Sequence, residues 1–261
     1  MTEEVRLGGM ALTNGVLVHG PRHWACAVRT DQGELKVASG AKRIRSVDFE
    51  PAFLRGPARV VEAVALLPAV RAALPEARLP FQQVEVTAAM LGSAAVVRML
   101  RASRLSPPAQ EVLSAFLAIA PAAAAVRGSS LAAYHGAEHV SIGTYEHGVP
   151  RPREHERCGS HMVGPLLAAT AAGNLAVGRI VPGGPRLAFA RALSTVGAVA
   201  VAVEIFGWMV RNPRHPLARA LAWPGHELQR RFLTAEPSPL QVEVAEAALA
   251  ECLRLEGAAS L

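Results

Sequence analysis

Apolar and polar positions change their spacing along this chain. Over roughly the first 48 residues the apolar runs are short and separated by turn residues: VLVHG at 16–20, a Gly-Pro-Arg-His turn, then WACAVR at 24–29. Trp24, Cys26 and Val28 alternate with Ala25, Ala27 and Arg29, a period of two that predicts a half-buried antiparallel sheet. TDQGELKV at 30–37 supplies a hairpin turn and the start of a further strand. Gly8, Gly9, Gly15 and Gly20 mark turns and bulges; no Gly-Lys-Ser/Thr follows them, so they do not form a phosphate-binding loop.

From about residue 52 the spacing becomes helical. Residues 53–75 carry Glu62 and Arg71 within an apolar pattern, predicting a helix kinked at Pro68. Apolar stretches 84–100 and 109–126 follow. Residues 162–178 hold no charge, and in 187–210 the one charge after Arg191 is Glu204. The proline-interrupted, arginine- and leucine-rich run 212–234 predicts short helices lying on a core or a membrane surface. A Pro-Ser-Pro turn at 237–239 leads into an amphipathic helix over 242–255. The expected fold is therefore α+β and mainly helical, with a small N-terminal β-rich unit. It divides into a glycine-rich β unit (1–50), an apolar helical region (51–127), a polar segment (128–161), an apolar helical pair (162–210) and C-terminal short amphipathic helices (211–261).

Composition sharpens this in one respect. Hydrophobic residues make up 51% of the 261, charged residues 18%, and mean hydropathy is +0.25. Soluble domains carry about 25% charge, so either a thin charged shell covers a large core or part of the surface meets lipid. The apolar stretches lie near the lower length limit for a bilayer span, and an alanine-rich soluble bundle is equally consistent with them. The net charge of +6 comes mainly from arginines that punctuate apolar segments, as at Arg98, Arg101 and Arg104 or Arg179, Arg186 and Arg191. Such scatter, with only 5% aromatics, argues against nucleic acid and suits anionic lipid headgroups better. Three widely spaced cysteines, Cys26, Cys158 and Cys252, do not make a disulfide framework. Cys26 and Cys252 sit in apolar patterns and are expected in the core.

The chemistry is concentrated in residues 132–162. His135, His139, His147, His155, His161 and Cys158 occur there beside Glu138, Glu146, Glu154 and Glu156, which is the zinc ligand set. His135 and His139 are four apart, so a helix places both on one face. His135-Gly-Ala-Glu138-His139 has the His-x-x-Glu-His form of an inverted zinc-hydrolase motif. In such a site the histidines hold zinc and the glutamate takes a proton from the acidified water. The third ligand must come from elsewhere: Cys158, His155, or Glu204, a lone carboxylate in an apolar helix. Cys158 as a nucleophile with a histidine base explains fewer of the clustered residues, and no Gly-x-Ser-x-Gly elbow supports a serine triad.

These residues resemble the bacterial YqhQ-like family, a family of unknown function described as predicted metal-dependent enzymes. The resemblance rests on Gly8-Gly9-Met10-Ala11 through Gly15-Val16-Leu17-Val18 and Gly20-Pro21-Arg22; on Tyr134-His135-Gly136-Ala137-Glu138-His139 with Thr144-Tyr145-Glu146; on Arg157-Cys158-Gly159-Ser160; and on Pro224-Gly225, Leu228-Gln229-Arg230 and Thr234-Ala235-Glu236-Pro237. The chain departs from the family at Asn14, where a glutamate is usual, at Val140, where a lysine is usual, and at Glu156, where a proline is often found. The resemblance implies several membrane-spanning helices, and so a multi-pass cell-membrane protein rather than a cytoplasmic one.

The resulting expectation is a zinc-dependent membrane hydrolase, with Glu138 as base and His135, His139, His155 and Cys158 as the metal-ligand set. Tyr134, Glu146, Arg157, Glu204, His19, Asn14 and Arg22 are expected to support the site, and residues 8–23 to roof it. A non-enzymatic membrane protein with a structural metal, or a transporter or scaffold component, is the alternative. Membrane lipids and further copies of the chain are the expected partners.

Overall fold

The computed structural model of the chain describes residues 5–45, 51, 53–79 and 84–257. It begins with a four-stranded antiparallel meander: β1 (Gly8–Leu12), β2 (Gly15–His19), β3 (His23–Arg29) and β4 (Leu35–Ala41). Eight helices follow: α1 (Arg55–Ala73), α2 (Val84–Arg101), α3 (Pro107–Val126), α4 (Ser130–His147), α5 (Val163–Ile180), α6 (Pro185–Arg211), α7 (Pro216–Leu228) and α8 (Pro239–Glu256). A 3₁₀ turn at Gly159–Met162 opens α5 and a π turn at Gln229–Leu233 closes α7. The α+β class is as expected, and the expected division at residue 50 falls outside the described residues.

The sheet is not half-buried. Both its faces are covered, and the alternation along the strands is one of size rather than polarity. Leu12, Leu17, Trp24, Cys26 and Val28 pack with Leu66 and Val70 of α1 and with Leu74 just after it. On the other face the small residues Ala11, Val16, Val18, Ala25 and Ala27 admit α4 and α8, which contribute Ala137, Ile142, Val244, Ala248, Leu249 and Cys252. The strand pairing places Val18 opposite Ala25 and Val16 opposite Ala27, so these small residues share one face. Cys26 and Cys252 are fully buried, as expected of core thiols.

Local signals fix the helices around the site. Ser129 caps α4 by accepting a hydrogen bond from the Ala132 N–H, and Gly148 ends it in a left-handed turn with φ 66°. The polar segment expected over 128–161 is thus helical to His147 and folds back as a loop only from there. A reciprocal Ser238–Gln241 capping box starts α8 after the expected turn.

Among the described residues two helical stretches are long and apolar enough to cross a membrane by length and composition, Gly159–Ile180 and Pro185–Arg211. Only 11% and 28% of their most apolar windows are buried, whereas a soluble core helix would be covered on most sides. The neighbouring helices α2 and α3 also expose large apolar side chains, including Leu91, Met99 and Phe116, as does α6 itself at Phe189.

Candidate metal centre

His135 and His139 lie one turn apart on α4, with ring centroids 4.3 Å apart. The Nδ1 of His135 is 2.9 Å from the Leu233 carbonyl oxygen, and that of His139 is 2.6 Å from the Arg153 carbonyl oxygen. A carbonyl can only accept, so Nδ1–H donates in both cases and each Nε2 carries the lone pair. Metal-binding histidines are oriented in this way, one nitrogen tied to a backbone carbonyl and the other free for the ion.

The third group is Cys158. Its Sγ is 3.6 Å from His135 Nε2 and accepts from the Ser160 N–H at the start of the 3₁₀ turn. Ligand atoms of His135, His139 and Cys158 all lie within 4.8 Å of one another, the one such group among the described residues. Tetrahedral zinc, with bonds of about 2.05 Å to nitrogen and 2.3 Å to sulfur, sets its N and S ligands about 3.5 Å apart, so the His135–Cys158 pair is already at ligand spacing. Burial pushes the His139 imidazole below its ordinary range, which favours the neutral, ligand-competent form.

Gln229 holds the returning loop in place. It is fully buried. Its amide nitrogen donates to the His155 carbonyl and to Ser160 Oγ, and its oxygen accepts from the His155 N–H. Gln229 opens the π turn whose last residue, Leu233, supplies the carbonyl for His135. One irregular turn, of a kind frequent at functional sites, thereby positions both a ligand and the loop carrying Cys158. The motif containing Gln229 is visible in the sequence. Its role is not, because its partners are 69 to 74 residues away.

Glu138, between the two histidines, has its side chain buried against β1. A Cβ on Gly9 would fall 2.2 Å from Glu138 Oε1, so the glycine is needed for this approach of β1 to the carboxylate. Glu138 Oε2 has no hydrogen-bond partner among the described residues. Burial raises its carboxyl well above the ordinary value, opposed by the charges of His135 and His155.

The other expected site residues divide into two groups. Glu146, His155 and Arg157 stand beside the centre: His155 Nε2 is 2.9 Å from Glu146 Oε2, Arg157 pairs with the same carboxylate, and the His155 ring is 5.4 Å from that of His139. Burial alone would raise the Glu146 carboxyl. The His155 hydrogen bond and the charges of His155, Arg157 and His147 together hold it below its ordinary range. His155 is therefore engaged with Glu146 and stands outside the three converging ligand atoms.

The remaining residues lie elsewhere. Tyr134 is in the core against the sheet. Asn14 clamps the β1–β2 turn, donating to the Arg29 and Glu76 carbonyls and accepting from the Arg78 N–H. His19 is on the α1 face with Lys42 and Glu62. Arg22 is at the β2–β3 turn, where its N–H and that of His23 donate to Glu256 of α8. Glu204 accepts from the Phe53 N–H just before α1. None of these five is among the converging ligands.

Residues 126–255 match the model of a family described as protein of unknown function (DUF1385). The matched span contains all three converging ligands, Glu138 and Gln229, and excludes the sheet. It agrees with the expected resemblance at the level of an uncharacterised family. No curated protein and no solved structure matches the chain.

Proposed function

We propose that this is a membrane-associated zinc protein in which His135, His139 and Cys158 hold the ion and Glu138 acts as acid and base in a hydrolytic reaction on a peptide or lipid-related substrate. The observation that carries this reading is the paired tethering of the two Nδ1 atoms to the Leu233 and Arg153 carbonyls, which leaves both Nε2 atoms facing Cys158 Sγ. Three protein ligands leave one of four tetrahedral positions open, the pattern of catalytic rather than structural zinc. Zinc so held supplies an acidified water. Glu138 supplies the proton acceptor: its buried carboxyl, raised above the ordinary range by burial, has an oxygen without a hydrogen-bond partner among the described residues and is placed to exchange a proton. The close approach of Gly9 to the Glu138 carboxylate restrains its position. Multi-pass insertion belongs to the same proposal, supported by the two long apolar helices and their uncovered faces.

The test is elemental mass spectrometry of the untagged protein in mild detergent. About one zinc per chain is expected, lost in His135→Ala/His139→Ala. Cobalt reconstitution should give a near-ultraviolet thiolate band that disappears in Cys158→Ser. Hydrolytic turnover, sought with ester and peptide libraries, should fall about 100-fold or more in Glu138→Gln while the metal stays bound. Absence of metal after reconstitution with zinc, manganese and iron overturns the site. Metal with unaltered turnover in Glu138→Gln overturns the role of the glutamate.

A further inference from the structure

A second polar constellation lies away from the metal centre, among the apolar helices. A cavity of about 800 Å³ opens between α2, α5 and the start of α6. Arg98 and Arg101 reach it from α2, Asn174 from α5 and Arg191 from α6. In sequence these arginines belong to two separate basic patches, and the fold brings them to one chamber.

Its polar groups are incompletely paired. Arg101 Nε and Arg191 Nε are buried N–H donors without an acceptor among the described residues, and Asn174 Oδ1 is a buried acceptor without a donor. Asn174 is 2% exposed, and its Nδ2 is fixed by donating to Glu111 Oε2 at 3.0 Å, so Oδ1 must be the atom left over. Glu111 also accepts from Arg101 NH2, at 3.5 Å, and is the acid that meets the cluster. Among the described residues neither Arg98 nor Arg191 has an ion pair. Three of the eight buried unpaired side-chain atoms found among the described residues thus line a single cavity. Buried polar groups without partners are rare in folded proteins, and each calls for a missing ligand or water.

The chemistry of the missing partner follows from the vacant bonds. Two guanidinium groups with free donors call for anionic oxygens, and the geometry of guanidinium favours phosphate. The orphaned Asn174 oxygen calls for a hydroxyl donor. Gly184 and Pro185 also line the cavity, so the N-terminus of the 27-residue α6 adds its positive end. Ala94, Val97, Ala188 and Ala192 complete apolar walls that suit a glyceride backbone. We propose that this cavity is a binding site for a phosphate ester bearing a free hydroxyl, of the phosphoglycerol type, carried by a lipid headgroup or by free glycerol phosphate. This site shares no residue with the metal centre, so either assignment can fail without the other.

Native mass spectrometry of the full chain in mild detergent tests it, with dioleoylphosphatidylglycerol, dioleoylphosphatidylcholine and glycerol 3-phosphate as separate probes. One phosphatidylglycerol per chain, bound at least tenfold more tightly than phosphatidylcholine and weakened about tenfold in Arg98→Gln/Arg191→Gln, is the expected result. Glycerol 3-phosphate binding with the same dependence on the arginines, without lipid selectivity, supports the phosphate site and assigns it to a soluble ligand. Arg98→Gln alone removes an exposed, unpaired side chain, so its binding loss is readable even where the double variant is unstable. Arg219→Gln, on α7 away from the cavity, should bind as the native chain does. Equal binding of all probes, undiminished binding in both arginine variants, or equal loss in Arg219→Gln overturns the proposal.

Discussion

At the scale of single residues, titratable groups on the two faces of the sheet respond to pH in opposite senses. Burial, followed by the charge of Lys42, lowers the His19 pKa from 6.5 to about 4. Between those values the unfolded chain takes up a proton that the folded protein refuses. Stability is therefore full above pH 6.5 and falls as the pH drops towards 4, by about 3 kcal/mol at most. Thermal melts at pH 7 and pH 4.5 should show this loss in the native protein and a smaller one in His19→Gln.

Glu138 behaves inversely. Burial raises its carboxyl above the ordinary 4.5, so above pH 4.5 the unfolded chain releases a proton that the native state keeps, and stability declines as the pH rises through that window. In chelator-treated protein at neutral pH, Glu138→Gln should raise the melting temperature and flatten that decline. A lower melting temperature in the variant would show that the carboxylate is paired in the native state.

At the scale of elements, two close backbone approaches build the centre. A Cβ on Gly136 of α4 would stand 2.2 Å from the Ala235 carbonyl oxygen, and the Ala235 N–H donates to the Ala132 carbonyl at 2.9 Å. The segment after α7 therefore lies directly on α4, which is how the Leu233 carbonyl reaches His135. Gly136→Ala should lower stability by about 1–3 kcal/mol and, by displacing Leu233, weaken zinc binding about 10- to 100-fold in a chelator competition. Gly197→Ala, in the open on α6, is the matched comparison, and there stability should rise by up to about 1 kcal/mol.

At the scale of the molecule, a sheet-and-helix body carries the candidate metal centre, and an apolar helical body carries the arginine cavity. The 18 residues of α5 run about 27 Å at 1.5 Å per residue, close to the thickness of a bilayer core. Cys158 lies just before the N-terminal end of α5, and Asn174 lies in its C-terminal half. On the proposed membrane reading, the expressed protein should sediment with membranes and resist alkaline carbonate extraction. Release into the carbonate supernatant would place the exposed apolar faces against other protein surfaces instead.

The sequence by itself determined the class of fold and most of the helical stretches, and it marked residues 132–162 as the candidate chemical centre. These follow from local rules: spacing sets which side chains share a strand or helix face, so once Ser130–His147 is helical, His135 and His139 fall on one face. It also marked Cys158 as a candidate third ligand without deciding among Cys158, His155 and Glu204. Which of them stands beside both histidines depends on the return path of the 148–158 loop, held by Gln229, and on the Leu233 carbonyl, 98 residues from His135. Sheet burial was misjudged because alternation of large with small residues looks like alternation of buried with exposed ones until a helix is seen on each face. Asn14, His19 and Arg22 lie near the glycines of the N-terminal motif yet serve turn and face contacts of their own. Only the tertiary structure assigns partners at this range, since a hydrogen bond across 60 or more residues leaves no periodic trace in the sequence.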